Sequence, residues 1–173
     1  MKTAVIYGTK HGTTKQYAEW IADELNADLF NHEAFKAKQL NAYDLIVYGG
    51  GLYAGGIIGV KLVSKNMPKN LVVFTVGLAD PKETDYSEII DKAFKKQQQE
   101  QIKVFHLRGG IDYGKLGFMH KTMMAMVKKS IVKKPVEKRS SEDTAILETY
   151  GQKLDFLDIE SIKPLVEYVK NMN

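Results

Sequence analysis

Cysteine is absent from the 173-residue sequence, and histidine is scarce. Without a thiol there can be no disulfide, no thiolate metal site, no iron–sulfur cluster and no cysteine nucleophile, so redox chemistry must come from a bound cofactor. The four histidines are His11, His32, His106 and His120. They are scattered, without the i, i+4 spacing or the neighbouring carboxylates of a metal site, and we expect no metal.

Long hydrophobic runs are also missing, since no apolar stretch approaches the ~20 residues that a membrane-spanning helix needs. The apolar run at the N-terminus ends at Gly8 without a small-residue cleavage site, so we interpret it as a strand of a cytoplasmic protein and not as a signal peptide. The hydrophobic fraction of 44% and the charged fraction of 27% are ordinary for a globular chain. We predict a single domain over residues 1–173.

Acidic residues are rare at about residues 114–139, and this basic segment accounts for the net charge of +4. Within it Met119, Met123 and Met126 recur at helical spacing and predict a helix from Leu116 to Ile131 whose methionines face the fold. The pattern fits an ordinary amphipathic core helix with solvated lysines. It equally fits a cationic surface for a porphyrin carboxylate or a phospholipid. The basic residues are Lys115, Lys121, Lys128, Lys129, Lys133, Lys134, Lys138 and Arg139.

Five short apolar runs predict β-strands, and their lack of polar alternation indicates strands that are buried on both faces of a parallel sheet. Helical patterns separate these strands, and a last helix is predicted to begin near Asp158, with Pro164 in its first turn. The alternation of strands and helices implies right-handed βαβ crossovers and an α/β fold with helical layers on both faces. The predicted strands are 4–7, 28–30, 45–48, 71–76 and 104–107, and the predicted helices between them are 13–25, 57–65 and 86–101.

The loop after the first strand is rich in hydroxyl groups and leads directly into a helix. Threonine O–H and backbone N–H groups at a helix N-terminus can surround a phosphate, and a glycine lets the amides converge on it. The loop lacks the glycine motifs of triphosphate and dinucleotide sites, so we expect a monophosphate. The alternative is a threonine-capped helix after a tight turn. The candidate residues are Thr9, Lys10, His11, Gly12, Thr13 and Thr14.

Two further loops are expected to meet the first loop at the carboxyl edge of the sheet, where ligands of such folds bind. The stretch after the third strand, residues 49–56, is predicted to be a glycine-rich loop that a flat ligand can approach closely and on which Tyr53 can stack. A flexible turn is the alternative for this loop. The candidate residues are Gly50, Gly51, Leu52, Tyr53, Ala54 and Gly55 in this loop, and Gly77, Leu78 and Ala79 after the fourth strand.

The pattern Thr9-x-His11-Gly12-x-Thr14 after a first strand resembles the phosphate loop of flavodoxins. The loops at Leu52-Tyr53 and at Gly77 resemble the two loops that hold the isoalloxazine ring in that family. Over residues 1–113 the resemblance implies a flavodoxin-like three-layer sandwich, a five-stranded parallel sheet in the order 2-1-3-4-5, and FMN as the cofactor. His11 stands where the family usually has threonine, which removes one expected hydroxyl contact.

The C-terminal part is similar to the flavodoxin-like, menaquinone-dependent protoporphyrinogen oxidases. The segments that carry this resemblance are Ile111-Asp112-Tyr113, Phe118-Met119 and the methionine-rich run Met123 to Lys129. The resemblance implies that FMN takes hydride from a porphyrinogen in haem biosynthesis and passes electrons to a quinone, with peripheral contact at the inner face of the membrane. The redox chemistry would rest on the cofactor, so no side chain is assigned as a general acid or base.

Two alternatives remain open. One is a flavodoxin that carries electrons between a donor and an acceptor protein without a substrate of its own; flavodoxins of this kind are usually acidic, which the basic composition argues against. The other is a binding module that has kept the fold without the cofactor, which the intact phosphate loop argues against. We expect no nucleic-acid partner, and the sequence does not indicate an oligomeric state.

Overall fold

The computed structural model describes residues 1–112, 114 and 117–172, and of His120 it describes the backbone alone. The strands are β1 (Thr3–Gly8), β2 (Asp28–Asn31), β3 (Leu45–Tyr53), β4 (Gly56–Ile57), β5 (Leu71–Gly77), β6 (Ile102–Arg108), β7 (Gly110–Asp112) and β8 (Lys153–Asp155). The α-helices are α1 (Thr13–Leu25), α2 (Lys61–Ser64), α3 (Ser87–Ala93), α4 (Lys96–Gln99), α5 (Phe118–Val132), α6 (Ser141–Thr149) and α7 (Lys163–Lys170). Short 3₁₀ helices span Ala37–Ala42, Val136–Lys138 and Ile159–Ile162.

The central sheet is parallel and has the order β2-β1-β3-β5-β6, to which β4 adds an antiparallel pair with β3. The β-branched residues of neighbouring strands lie side by side, with Val5 opposite Val47 and Val47 opposite Val72. Strands β1 and β5 are buried along their whole length, as expected for strands covered on both faces. The five predicted strands correspond to β1, β2, β3, β5 and β6, so the predicted order 2-1-3-4-5 is confirmed.

Helices cover both faces of this sheet and complete the predicted three-layer sandwich. On one face Tyr17 and Ile21 of α1 pack with Leu165 of α7 in one buried cluster. On the other face Leu40 and Phe94 belong to a second buried cluster. The sheet therefore has one hydrophobic core on each side.

The prediction of a loop for the glycine-rich stretch 49–56 is wrong, because Gly49, Gly50 and Gly51 lie within β3. After Tyr53 a two-residue turn leads into β4, so the stretch forms a β-hairpin. A β-carbon on Gly49 would lie 2.0 Å from the Phe74 ring, and one on Gly50 would lie 2.2 Å from a methyl group of Ile57. The first two glycines thus serve core packing, a role that composition does not distinguish from loop flexibility.

Two predicted helices differ from the structure. The segment 57–65 begins as β4 and is helical only over α2. The segment 86–101 is divided into α3 and α4, because Phe94 adopts an extended conformation and buries its ring in the core. The side-chain oxygen of Gln98 accepts a hydrogen bond of 2.8 Å from the Lys95 N–H and starts the new helix.

The C-terminal part contains the predicted last helix and additional elements that were not predicted. Asp158, near which the helix was predicted to begin, accepts a hydrogen bond of 2.9 Å from the Glu160 N–H and caps the 3₁₀ helix Ile159–Ile162, so that α7 begins only at Lys163. Pro164 lies in the first turn of α7, as predicted. Helix α6 and the antiparallel ribbon of β7 and β8 were missed. Within the described residues no helix has both the length and the apolar character needed to cross a bilayer.

The basic segment forms α5, although its predicted start at Leu116 lies outside the described residues. Of the three methionines predicted to face the fold, Met119 is 76% exposed and Met126 is 61% exposed, whereas Met123 is half-buried. Met124 and Ile131 are buried instead. The five residues 123–127 are all apolar, so two different faces of this helix satisfy a 3 to 4 residue period. Spacing alone therefore did not determine which face is buried.

Candidate functional site

A cleft of about 400 Å³ opens at the carboxyl ends of β1, β3 and β5, next to the point where the strand order reverses. The β1–α1 loop, the β3–β4 hairpin and the loop after β5 all line it. The cleft brings together twelve of the fifteen residues predicted to bind the cofactor, whereas Gly12, Gly50 and Ala79 do not line it. The twelve are Thr9, Lys10, His11, Thr13, Thr14, Gly51, Leu52, Tyr53, Ala54, Gly55, Gly77 and Leu78.

The first loop presents the start of α1 to the cleft. The N-cap residue is Gly12, whose φ of 88° lies in the left-handed region, and among the described residues no side chain caps this helix. The Thr9 hydroxyl oxygen instead accepts a hydrogen bond of 3.0 Å from the Gly12 N–H, which closes the loop and still allows the hydroxyl to donate. The alternative of a threonine-capped helix is therefore wrong, and the partial positive charge of the helix faces the cleft.

The helix approaches the sheet closely at this point. Thr14 is 1% exposed, and a β-carbon on Gly51 would lie 3.1 Å from its hydroxyl oxygen. Gly51 therefore allows the first turn of α1 to lie against β3 at the floor of the cleft.

The hairpin forms one wall of the cleft mouth. Its turn residues, Ala54 and Gly55, both have positive φ, at 49° and 74°, as a type I′ turn requires. The Lys10 ammonium group lies 5.1 Å from the centroid of the Tyr53 ring, a cation–π contact between the first loop and the hairpin. Tyr53 is half-buried and thus presents an aromatic ring at the entrance.

The loop after β5 is held from two sides by residues that sequence reasoning missed. The Arg108 side chain donates a hydrogen bond of 3.0 Å from Nε to the Leu78 carbonyl, and its guanidinium group stacks 3.8 Å from the Phe156 ring centroid. The Glu142 carboxylate accepts hydrogen bonds from the N–H groups of Leu78, at 2.9 Å, and Ala79, at 3.0 Å. Burial raises the pKa of Glu142, although both hydrogen bonds act in the opposite direction.

Only weak sequence signals pointed to these two residues. Arg108 stands at the end of a predicted strand, next to Gly109. Glu142 lies in the first turn of a helix that begins with a capping box, in which the Ser140 hydroxyl accepts a hydrogen bond from the Asp143 N–H. The capping box could have revealed α6, but it could not have shown where the helix docks.

The cleft continues beyond the three loops, beneath α5 and α6. Here apolar side chains, among them Met124 and Ile131 from α5 and Ile146 from α6, line it together with polar and charged ones. Lys134 and Lys138, from the connection between the helices, also line it. The site therefore combines a hydroxyl-rich end, at the start of α1, with an end beneath α5 and α6 that has both apolar and charged side chains.

In the part of the chain that the structure describes, the cleft included, no group of three or more histidine and acidic residues could hold a metal ion.

A family model described as a flavodoxin domain matches residues 4–138. Among solved structures, an archaeal flavodoxin is 16% identical, with a TM-score of 0.46, and the match covers 62% of this chain and 83% of that one. A WrbA-like flavodoxin from Agrobacterium tumefaciens is 17% identical, with a TM-score of 0.48 over 85% of this chain and 91% of that one. A flavoprotein in complex with FMN from Lactobacillus acidophilus is 16% identical, with a TM-score of 0.41 over 62% and 91%. No curated protein sequence matches the chain.

Proposed function

Because the chain belongs to the flavodoxin family, we propose that it binds one FMN in the cleft and uses it to transfer electrons. When bound, FMN supplies both one-electron and hydride chemistry. The observation that carries this proposal is the uncapped N-terminus of α1 within a hydroxyl-rich loop at the switch point of the sheet.

The residues of the cleft fit the two chemically different ends of FMN. A phosphate dianion suits the first turn of α1, with donors from Thr9, Thr13 and the backbone. A flat ring suits the apolar walls that Leu52, Tyr53 and Leu78 provide. In this arrangement the protein binds, orients and shields the cofactor. The N–H groups of Leu78 and Ala79 after β5 donate to the Glu142 carboxylate in this structure, so they could serve the ring system only once that contact is released.

The binding test is the release of FMN, and not FAD, from denatured protein that shows flavin absorbance when purified. The variant Thr9→Ala should weaken FMN binding by about 1.5 to 3 kcal/mol, the range for a hydrogen bond to a charged group. Ser64→Ala, at the end of α2 and outside the cleft, is the matched hydroxyl control. Protein that is colourless and cannot be reconstituted with FMN would contradict the proposal.

The part of the cleft beneath α5 and α6 favours an enzyme over a carrier. A carrier exchanges electrons through a flavin edge that partner proteins can reach, whereas helices α5 and α6 cover space beside the proposed flavin site. An apolar substrate with an anionic group would match Met124, Ile131 and Ile146 and the neighbouring Lys138. The other lysine, Lys134, is paired with Asp143. We therefore propose dehydrogenation of a small molecule, with a porphyrinogen as donor and a quinone as acceptor, as the C-terminal resemblance implies.

The two candidate functions differ in their electron donors. Anaerobic reduction of bound flavin by protoporphyrinogen, followed by reoxidation with a quinone, supports the enzyme. Rapid exchange with redox proteins, and no reduction by the porphyrinogen, supports the electron carrier. We also propose a cytoplasmic location with peripheral membrane contact through α5.

A further inference from the structure

The carboxylate of Glu142 occupies two adjacent donors in the wall of the cleft. Its two oxygens accept hydrogen bonds of 2.9 and 3.0 Å from the N–H groups of Leu78 and Ala79. These donors lie directly after β5, and both Glu142 and Leu78 line the cleft. The contact joins α6 to the sheet edge on which the proposed cofactor would rest.

Hydrogen bonds and an ion pair in the connection between α5 and α6 hold Glu142 in this position. Asp143, the next residue, accepts a hydrogen bond from the Ser140 N–H and forms a 2.7 Å ion pair with Lys134. Arg139 donates hydrogen bonds to the carbonyl groups of Ile131 and Lys134 at the end of α5. Residues 118–149, which we call the flap, thus deliver the carboxylate as a preformed unit.

The flap is attached to the sandwich through a short ribbon. Strand β7 precedes the flap and β8 follows it, and the two strands pair with Ile111 opposite Leu154. Gly151, which has a φ of 85°, separates α6 from β8 and gives the chain a left-handed bend there. Apolar contacts between Leu78, Met124 and Ile146 also hold the flap on the cleft.

A carboxylate that bridges two neighbouring N–H groups presents a pair of acceptors side by side. The pyrimidine part of a flavin carries such a pair, N1 and the C2 carbonyl oxygen. A flavin ring that used the donors of Leu78 and Ala79 would have to take them from Glu142, because each N–H group forms one strong hydrogen bond at a time.

We propose that Glu142 is a displaceable latch that competes with FMN for the N–H groups of Leu78 and Ala79. Loading of the cofactor moves the carboxylate off these donors and loosens α6 from the sheet. This inference rests on the proposed function, since it takes FMN as the competitor. It predicts that Glu142 slows the entry of FMN and lowers its affinity.

The test uses full-length protein freed of flavin, with the variants Glu142→Ala and Glu142→Gln and the control Glu148→Ala on the exposed side of α6. FMN association is followed by the quenching of FMN fluorescence in stopped-flow and equilibrium titrations. Glu142→Ala should bind FMN on the order of tenfold more tightly than wild type, chiefly through faster association. Glu142→Gln, which keeps one acceptor oxygen, should be intermediate, and Glu148→Ala should match wild type.

Amide hydrogen exchange gives a second readout that does not need FMN. In flavin-free protein the Leu78 and Ala79 amides should be protected in wild type and Glu148→Ala, and should exchange about tenfold faster in Glu142→Ala. Equal exchange in all three proteins overturns the latch contact. Thermal unfolding of each variant shows whether it is folded, and Glu142→Gln serves if Glu142→Ala is not.

Failure of the latch and failure of the proposed function give different results. If FMN binds equally tightly, or less tightly, in Glu142→Ala than in wild type, the competition is overturned while FMN binding stands. If neither wild type nor any variant quenches FMN, the proposed function fails and the competition with FMN fails with it. Hydrogen exchange then still reports the contact between Glu142 and the loop.

Discussion

At the scale of single residues, His106 in β6 is the clearest source of a pH-dependent stability. Its ring stacks on Tyr86 at a centroid distance of 3.7 Å, and its Nδ1 lies 2.6 Å from the hydroxyl oxygen of buried Thr75. Burial lowers the pKa of His106 from 6.5 to about 4. The imidazole is therefore held neutral in the folded protein under mildly acidic conditions in which the unfolded chain takes up a proton.

We expect the free energy of unfolding to fall as the pH is lowered from about 6.5 to about 4, because only the unfolded state gains the His106 proton in that window. The loss should be about 1 to 2 kcal/mol, once the partial solvent exposure of the ring is allowed for. Urea unfolding of wild type and His106→Gln at pH 7.5 and pH 5 measures this effect. Wild type and variant with the same pH dependence would contradict it.

The sequence predicted those site residues whose role depends on residues adjacent to them in the chain. The hydroxyl-rich loop at Thr9 and the glycine at position 12 were identified because a loop and the helix after it are continuous in sequence. Arg108 and Glu142 were missed, because each acts on the loop after β5 from far along the chain, 30 residues away for Arg108 and 64 for Glu142. A pattern of neighbouring residues cannot reveal a contact between residues so far apart in the sequence.

At the scale of elements, burial decided which predictions succeeded. Strands β1, β3 and β5 are enclosed on both faces and were found from their apolar runs. Helix α7 was found from its buried stripe, although the predicted capping residue Asp158 caps the 3₁₀ helix before it. Helix α6 was missed because it has no fully buried residue to produce a strong period. The β3–β4 hairpin was missed because the sequence does not distinguish a glycine that makes room for a neighbouring core side chain from a glycine that allows a turn.

The packing of Gly49 against the Phe74 ring leads to a prediction for the stability of β3. Gly49→Ala should destabilise the protein by about 1 to 3 kcal/mol, because its β-carbon would overlap the buried Phe74 ring. Gly56→Ala is the matched control, since its β-carbon would meet only the Tyr53 carbonyl oxygen, at 3.9 Å. Chemical denaturation of the two variants compares them directly, and equal losses would show that Gly49 is not fixed by the core.

The turn of the same hairpin is strained at Ala54, whose φ of 49° favours glycine or asparagine. We expect Ala54→Asn to raise the free energy of unfolding by about 0.5 to 1 kcal/mol, because asparagine tolerates the left-handed region better than alanine. The measurement is the urea midpoint, with Ala34→Asn outside the hairpin as control. An unchanged or lower midpoint would mean that the turn carries no such strain.

At the scale of the whole molecule, apolar and basic residues share the outer surface of α5. Phe118 is 87% exposed and Met119 is 76% exposed, and Lys121 and Lys129 are exposed on the same helix. The predicted division, with methionines facing inward and lysines facing outward, would have left charge as the sole attraction to a membrane. The observed surface adds side chains that can enter the headgroup region.

We therefore expect the protein to bind vesicles that contain anionic lipid, and to bind neutral vesicles weakly. Lysine near an anionic surface contributes up to about 1 kcal/mol, and salt screens this part, whereas the apolar contribution of Phe118 and Met119 persists as salt rises. Lys121→Glu/Lys129→Glu should lose the salt-sensitive part, and Phe118→Ser/Met119→Ser should lose the rest, as measured by co-sedimentation in a salt series. Lys65→Glu/Lys69→Glu, at the opposite end of the sheet, keeps the same net charge as the first variant and should bind like wild type. If this control loses as much binding as the α5 variant, the attraction follows from net charge, and α5 is not the docking surface.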